Sequence, residues 1–376
     1  MSRLKVILSG GGTGGHIFPA VSIANEIKAI VPDVDILFVG ALGKMEMEKV
    51  PAAGYKIIGL PIAGIQRKLT LSNLKFPFLL IKSILKARSI VKEFKPDVVV
   101  GTGGYASGPL LRAATSMGIP ALIQEQNSYA GVTNKWLSKK AGKICVAYEG
   151  MEQFFPKEKI ILTGNPVRQD IKDVEQKRNE GQKFFNLDSS KKTLLVVGGS
   201  LGAKGINEAM GAGLKLLAEN NIQLIWQTGK PYLETAKQQT TGFKDNNINA
   251  VDFIARMDLA YAVADCVISR AGAGAVSELC IVKKPAILVP LLTAAEDHQT
   301  KNAMSLVNKQ AAILVRDDET KQKLVKEAIA LMKDEKKQNE LKQNIGALAL
   351  LNSANIIAKE VLKLANYDFD KLSHRT

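Results

Sequence analysis

Short runs of Val, Ile and Leu alternate with longer stretches of helical periodicity along almost the whole chain. The apolar runs include Leu4–Leu8, Ile36–Val39, Val98–Val100, Leu194–Val197, Leu224–Trp226, Cys266–Ile268 and Ala286–Val289. Strands apolar at every position and separated by helices predict parallel sheets covered on both faces, an α/β doubly wound architecture. The pattern is loosely duplicated. Lys5–Ser9 runs into Gly10-Gly11-Gly12-Thr13-Gly14-Gly15-His16 and a helix pattern, and Thr193–Val197 runs into Gly198-Gly199-Ser200-Leu201-Gly202-Ala203 and another. Each half also has a later glycine-rich turn after a strand, Gly101–Tyr105 in the first and Arg270–Gly274 in the second. Two Rossmann-like domains in tandem, facing a central cleft, are therefore expected over residues 1–164 and 165–349. The break falls near Thr163-Gly164-Asn165-Pro166, where glycine and a residue before proline interrupt regular structure.

Composition narrows the choice of partner. At 376 residues the chain exceeds what one core usually serves, and 46% hydrophobic with 23% charged residues is an ordinary globular mix. A net charge of +15 calls for an anionic partner. Nucleic acid is disfavoured, because aromatics make up only 6% and no basic–aromatic alternation accompanies the charge. Cys145, Cys266 and Cys280 lie far apart in apolar runs without CxxC spacing, as expected of buried thiols in a reducing cytosol. No apolar run approaches the roughly 18 residues of a membrane-spanning helix. The N-terminus enters a strand pattern directly, so export is not expected.

Glycines between a strand and a helix let backbone approach a ligand and leave the first helical N–H groups open to anions. Gly10, Gly12 and Gly15 match G-x-G-x-x-G, so a dinucleotide-dependent oxidoreductase must be weighed. That reading wants an acid after the second strand, but Leu37–Ala41 is preceded by Asp33 and Asp35 and followed by none in place. Neither half has a P-loop. One such loop could equally be a tight turn packing a helix on a strand; four at strand ends favour binding.

Several segments together resemble the MurG family, the lipid I N-acetylglucosaminyltransferases of the GT-B superfamily. They are GGGTGGHIFPA (10–20), KPDVVVGTGGYASGP (95–109), QEQNSYAGVTNKWLSK (124–139), GNPVR (164–168), GGSLGA (198–203), RAGAGAVSE (270–278) and DHQTKNA (297–303). Their order and spacing cover nearly the whole chain. The near alternatives are sister GT-B enzymes such as diacylglycerol galactosyltransferases and the UDP-N-acetylglucosamine 2-epimerase; a non-catalytic nucleotide-sugar-binding protein is a further alternative.

The resemblance implies that UDP-N-acetylglucosamine sits on the second domain. Glu278, expected at the start of a helix with the loop Ala273, Gly274, Ala275, Val276 and Ser277, matches the glutamate on the ribose hydroxyls; helix capping is its plainer alternative. Ser200 and its loop, with Arg168, match groups on the diphosphate. Ile254 aligns with the residue whose backbone reads uracil. Gln299 aligns with a glutamine on the sugar hydroxyls, with His298 as a substitute because the alignment needs a one-residue insertion. In the first domain, Thr13, Gly14, Gly15 and Asn127 match positions at the donor. The first two glycine loops, with Gly103, Gly104 and Tyr105, would take the acceptor's diphosphate. A final helix over about 350–366 packs back on the first domain by the same resemblance.

The implied reaction is an inverting displacement by the 4-hydroxyl of a lipid-linked muramoyl-pentapeptide, which needs a base and stabilisation of the departing diphosphate. His16, at the head of a helix that favours the neutral imidazole, is the first candidate base and Glu125 the second. A histidine that merely fixes the loop is the alternative. No cofactor or metal is expected: Asp33-Val34-Asp35 sits at a strand entrance, and His16, His298 and His374 have no ligand spacing. Residues 66–92 mix Leu71, Leu74, Phe76, Phe78, Leu79 and Leu80 with Lys68, Lys75, Lys82, Lys86 and Arg88. An ordinary core-facing helix fits this pattern. A lipid-linked acceptor favours an interfacial element, residues near 68–88, on an anionic membrane at the cytoplasmic face.

Overall fold

The computed structural model describes residues 3–62, 76–199 and 201–369. The chain divides into two compact units, Met1–Val167 with Leu351–Thr376, and Arg168–Leu350. In the first unit the order is β1 (Lys5–Gly10), α1 (Gly14–Ile30), β2 (Asp35–Ala41), α2 (Glu46–Ala52), β3 (Lys56–Leu60), α3 (Phe76–Phe94) and β4 (Val98–Gly103). There follow α4 (Ser107–Ser116), β5 (Ala121–Glu125), α5 (Val132–Leu137), β6 (Lys143–Val146) and β7 (Ile160–Leu162). The sheet is parallel throughout, in the order β3-β2-β1-β4-β5-β6-β7.

The second unit repeats the scheme: α6 (Arg178–Phe184), β8 (Lys192–Val197), α7 (Lys204–Glu219), β9 (Ile222–Gln227), α8 (Leu233–Thr240) and β10 (Ile248–Val251) come first. Next are α9 (Met257–Val263), β11 (Cys266–Ser269), α10 (Ala273–Val282), β12 (Ala286–Leu288), α11 (His298–Val307), β13 (Ile313–Leu314), α12 (Thr320–Lys333) and α13 (Glu335–Ala347). Its parallel order is β10-β9-β8-β11-β12-β13. In both sheets the strand order reverses beside the first strand, between β1 and β4 and between β8 and β11. Ligands of doubly wound folds bind beyond the carboxyl ends of such strands, and there the four glycine-rich turns emerge.

The strands are apolar along their length because both faces are covered. Val6, Ile7 and Leu8 of β1 are fully buried, as are Leu194, Leu195 and Val196 of β8. Helix α1 turns Ile17, Ala20, Ile23, Ala24 and Ile27 inward. On the same cluster lies α14 (Ser353–Leu364), which buries Ile357, Ala358, Val361 and Leu362 with α1 and strands β1, β2 and β4. Each large aliphatic side chain so covered contributes about 1.5–3 kcal/mol. In the second unit α12 approaches α7 closely, since a Cβ on Gly213 would lie 2.5 Å from Val325. Cys145, Cys266 and Cys280 are buried thiols, each pushed up to about 12 chiefly by desolvation. Among the described residues no helix is long and apolar enough to cross a membrane.

Candidate functional site

In the first unit the two glycine turns are fastened to each other. The β1–β4 register shifts between Ser9 and Gly10, so that Gly10 pairs with Gly103 and Thr102 lies at the irregularity. From there the Thr102 hydroxyl donates to the His16 carbonyl at 2.7 Å, while the Ser107 hydroxyl lies 2.8 Å from both the Ser9 and Gly103 carbonyls. Gly104, at φ +87°, could not carry a side chain: its Cβ would stand 2.2 Å from the Gly11 carbonyl oxygen.

His16 begins α1 as its third residue, and its Nδ1 lies 3.0 Å from the Gly11 carbonyl oxygen. A carbonyl can only accept, so this contact assigns the neutral ring's proton to Nδ1 and the lone pair to Nε2. The ring edge packs where a Cβ of Gly103 would be, 3.0 Å from Nε2. Thr13, the exposed N-cap of α1, makes no side-chain cap bond, and Gly14 and Gly15 form the helix's first turn. Tyr105, 45% exposed, places its ring 3.8 Å from the Cβ position of Gly12.

Beneath the first loop lies Glu46, fully buried, whose carboxylate accepts from Gly12 N and Ala41 N, both at 2.9 Å. Nothing in the sequence pattern singles it out, because its partners come from two strand ends brought together only by the sheet. Glu125 is also buried. Its Oε1 accepts from the Asn127 backbone at 3.0 Å and side chain at 3.3 Å; its Oε2 accepts from Gly131 N at 3.0 Å and Asn134 Nδ2 at 2.8 Å. With both oxygens so engaged, Glu125 holds the 126–131 loop and Asn127 in place, which argues against it as the base. Gln124, Gln126 and Asn165 extend the buried network: Gln124 Nε2 donates to Asn165 Oδ1 and Asn165 Nδ2 to the Gln126 carbonyl, each at 3.0 Å.

In the second unit the loop after β8 is shaped by glycine on glycine. Gly199 and Gly202 have positive φ, Gly202 N donates to the Gly199 carbonyl at 2.9 Å, and a Cβ on Gly202 would stand 2.0 Å from the Thr228 carbonyl oxygen. Ser200 lies outside the described residues. Neither Ala203 before α7 nor Gly272 before α10 provides a side-chain cap; the first backbone N–H groups of a helix are of the kind that hold phosphate. Gly272 and Gly274 have open space where a Cβ would be. Ala273, Gly274 and Ala275 form the first turn of α10; the Val276 side chain is buried in the core, so only its backbone can face a ligand.

Glu278 departs from expectation in one respect: it lies in the second turn of α10, not at its start, which also removes the capping alternative. Arg168 Nε reaches Glu278 Oε1 at 2.9 Å, and the Tyr261 hydroxyl donates to Oε2 at 2.9 Å. Burial lowers the Arg168 guanidinium, but the charge and hydrogen bond of Glu278 outweigh it and hold it above its ordinary value. Desolvation, then the Glu278 charge, pushes the Tyr261 phenol well above its own. Ile254 is buried beyond β10. The turn around it is fixed by Asp258, which accepts from Arg256 Nε and Nη2, both at 2.9 Å, and from Lys177 Nζ at 3.0 Å. Gln299 Oε1 accepts from Leu291 N at 2.9 Å, bracing the loop before α11. Arg270, for which the motifs suggest no role, joins strand ends through the Val289 carbonyl at 3.1 Å and Asp317 at 2.6 Å.

Two Rossmann-like units with paired glycine-rich turns, one carrying an arginine–glutamate pair beside the start of a helix, have the architecture of a nucleotide-sugar glycosyltransferase. Comparison agrees: residues 6–146 match the glycosyltransferase family 28 N-terminal domain and residues 193–360 the C-terminal domain. The chain belongs to the MurG family of UDP-N-acetylglucosamine–N-acetylmuramyl-(pentapeptide) pyrophosphoryl-undecaprenol N-acetylglucosamine transferases. It is 56% identical to the one from Flavobacterium psychrophilum over 97% of this chain and 98% of that relative. With the one from Bacteroides thetaiotaomicron it shares 57% identity over 96% of this chain and 98% of the relative. The crystal structure of Acinetobacter baumannii MurG superposes with a TM-score of 0.79 at 29% identity, covering 96% of this chain and all of the other (100%). A UDP-GlcNAc 2-epimerase from Neisseria meningitidis, 15% identical with a TM-score of 0.67 over 96% of this chain and 100% of that one, shares the fold.

Proposed function

We infer that the enzyme transfers N-acetylglucosamine from UDP-N-acetylglucosamine to the 4-hydroxyl of the muramoyl sugar of undecaprenyl-diphospho-muramoylpentapeptide, the step from lipid I to lipid II in peptidoglycan synthesis. The observation that carries this is the 56–57% identity, over 96–97% of the chain, with transferases named for that reaction. Arg168–Leu350 takes the donor and the other unit the acceptor. Glu278 receives the ribose hydroxyls, the backbone beside Ile254 reads uracil, and Gln299 meets the sugar. His16 Nε2 removes the proton of the acceptor hydroxyl as its oxygen bonds to the anomeric carbon and the carbon–oxygen bond to UDP breaks, inverting the centre. The N–H groups of loop 198–203 and the Arg168 guanidinium carry the charge that develops on the departing diphosphate.

The acceptor's lipid brings the enzyme to the cytoplasmic face of the membrane as a peripheral protein. Support comes from α3, which buries Ser83, Ala87, Ile90 and Val91 yet leaves Phe78, Ile81 and Leu85 at 77%, 58% and 60% exposure among the exposed cations Lys82, Lys86 and Arg88. Helix α4 packs between α3 and α5, and α5 adds exposed Val132 and Trp136. Apolar side chains edged by cations suit an anionic leaflet. Lys68 and Lys75 of the expected element lie outside the described residues.

The deciding assay is transfer of labelled N-acetylglucosamine to the lipid-linked muramoyl-pentapeptide on anionic vesicles, with and without EDTA. EDTA-insensitive transfer is expected. Binding of the donor without transfer would leave the donor site standing and remove the acceptor assignment.

A further inference from the structure

Glu278 offers two oxygens, and a carboxylate on a flexible stem gains selectivity for a vicinal diol only when its plane is fixed. The structure fixes it from both sides, with groups of different character. Arg168 reaches Oε1 from a position 40% open to solvent, on the segment that enters the unit. Tyr261 reaches Oε2 from the middle of α9, where it is 2% exposed and closed off from any ligand. Since a carboxylate only accepts, the phenol is the donor in this bond. One oxygen is thus held by a group that can leave and the other by a group that cannot.

We propose that Tyr261 is a positioning residue that locks the Glu278 carboxylate and thereby sets the donor site's preference for ribonucleotides over deoxyribonucleotides, while Oε1 is the position at which Arg168 gives way to a ribose hydroxyl. The proposal rests on the reading of Glu278 as the ribose ligand. Arg168, displaced from Oε1, becomes free for the diphosphate, so one event couples sugar-ring recognition to charge stabilisation at the leaving group. Raised by burial, the phenol stays protonated across the working pH range and does not compete as an anion.

The test compares inhibition by UDP, 2′-deoxy-UDP and uridine in the intact enzyme and its Tyr261→Phe, Glu278→Ala and Arg168→Gln variants. Tyr261→Phe should raise the KM for UDP-N-acetylglucosamine about 5–20-fold with kcat changed less than about twofold, and should lower the UDP to 2′-deoxy-UDP preference at least about fivefold, on the scale of one intramolecular hydrogen bond. That preference is a ratio within one preparation, so loss of folded enzyme does not move it. Arg168→Gln should keep the ribose preference and lose most of the gain of UDP over uridine. An unchanged ribose preference in Tyr261→Phe overturns the proposal if Glu278→Ala abolishes that preference. If Glu278→Ala leaves it intact, the ribose reading itself falls and the proposal with it. Loss of the ribose preference in Arg168→Gln overturns the exchange at Oε1.

Discussion

The two units share a strand order yet treat the glycine turn after their first strand in opposite ways. After β1 the loop rests on a buried carboxylate: Glu46 consumes the Gly12 N–H, and Thr102 and Ser107 anchor the neighbouring carbonyls. After β8 the loop is held by close backbone contact, with Gly202 against Thr228 and Gly229. The buried Glu46 side chain, tied to Gly12 N and Ala41 N, stiffens the platform from which His16 projects. The β8 loop leads into α7 without a side-chain cap at Ala203. One topology therefore carries a loop braced by buried side chains in one half and a loop braced by backbone contact in the other, and the difference resides in a few buried polar side chains.

The largest effect that could break this contrast is at His16. His16→Ala should lower turnover about 10²–10⁴-fold with donor affinity unchanged; a loss below tenfold in steady-state assays removes the imidazole from the base role. Next come the glycines. Gly202→Ala combines φ +77° with a 2.0 Å clash against backbone, whereas Gly12→Ala has φ +85° but meets only the Tyr105 ring at 3.8 Å. Urea unfolding should show Gly202→Ala costing about 3 kcal/mol or more, and Gly12→Ala only the left-handed strain of about 1–2 kcal/mol. Equal losses would mean that contact with Thr228 does not set the loop. Glu46→Gln, which turns an amide N–H toward a backbone donor, should cost about 1–3 kcal/mol and reduce kcat while leaving the KM for UDP-N-acetylglucosamine unchanged. A rise in that KM instead would erase the division between the halves.

The smallest effect is a pH dependence in the second unit. Desolvation pushes Lys284 down to about 8 against an ordinary 10.5, and its ammonium donates to the Ala264 carbonyl at 2.8 Å. Between those values the unfolded chain binds more protons, so this lysine makes stability rise with pH from about 8. Above about 9 the buried thiols, raised to about 12, act the other way, because unfolding releases their protons. Lys284→Met should abolish the rise between pH 8 and 9 in unfolding midpoints and leave the decline.

The strands and the four turns could be read from the sequence because each is a local signal: a run of apolar residues buried on both faces, then glycines before a helical period. What escaped reading depends on contacts between distant segments. Tyr261 meets Glu278 across 17 residues, Glu46 meets Gly12 across 34, and Arg270 meets Asp317 across 47. Glu278 was expected at a helix start because the glycines of Arg270–Gly274 read as a turn. In fact Gly272 is the N-cap and Gly274 already helical, a position that glycine tolerates at modest cost. Glu125 reads from the sequence as the second candidate base, but only the fold brings together the four donors that tie both of its oxygens to Asn127, Gly131 and Asn134.

Helix α14 belongs to the unit that the chain begins, not the one it has just completed. The second unit is thus an uninterrupted stretch that can fold as soon as it leaves the ribosome. The first must wait, with the apolar flank formed by Ile23, Ile27 and their neighbours uncovered, until residues 353–364 arrive. Order of synthesis and order of completion are reversed: the unit made second is complete first, and the unit that the chain begins closes last.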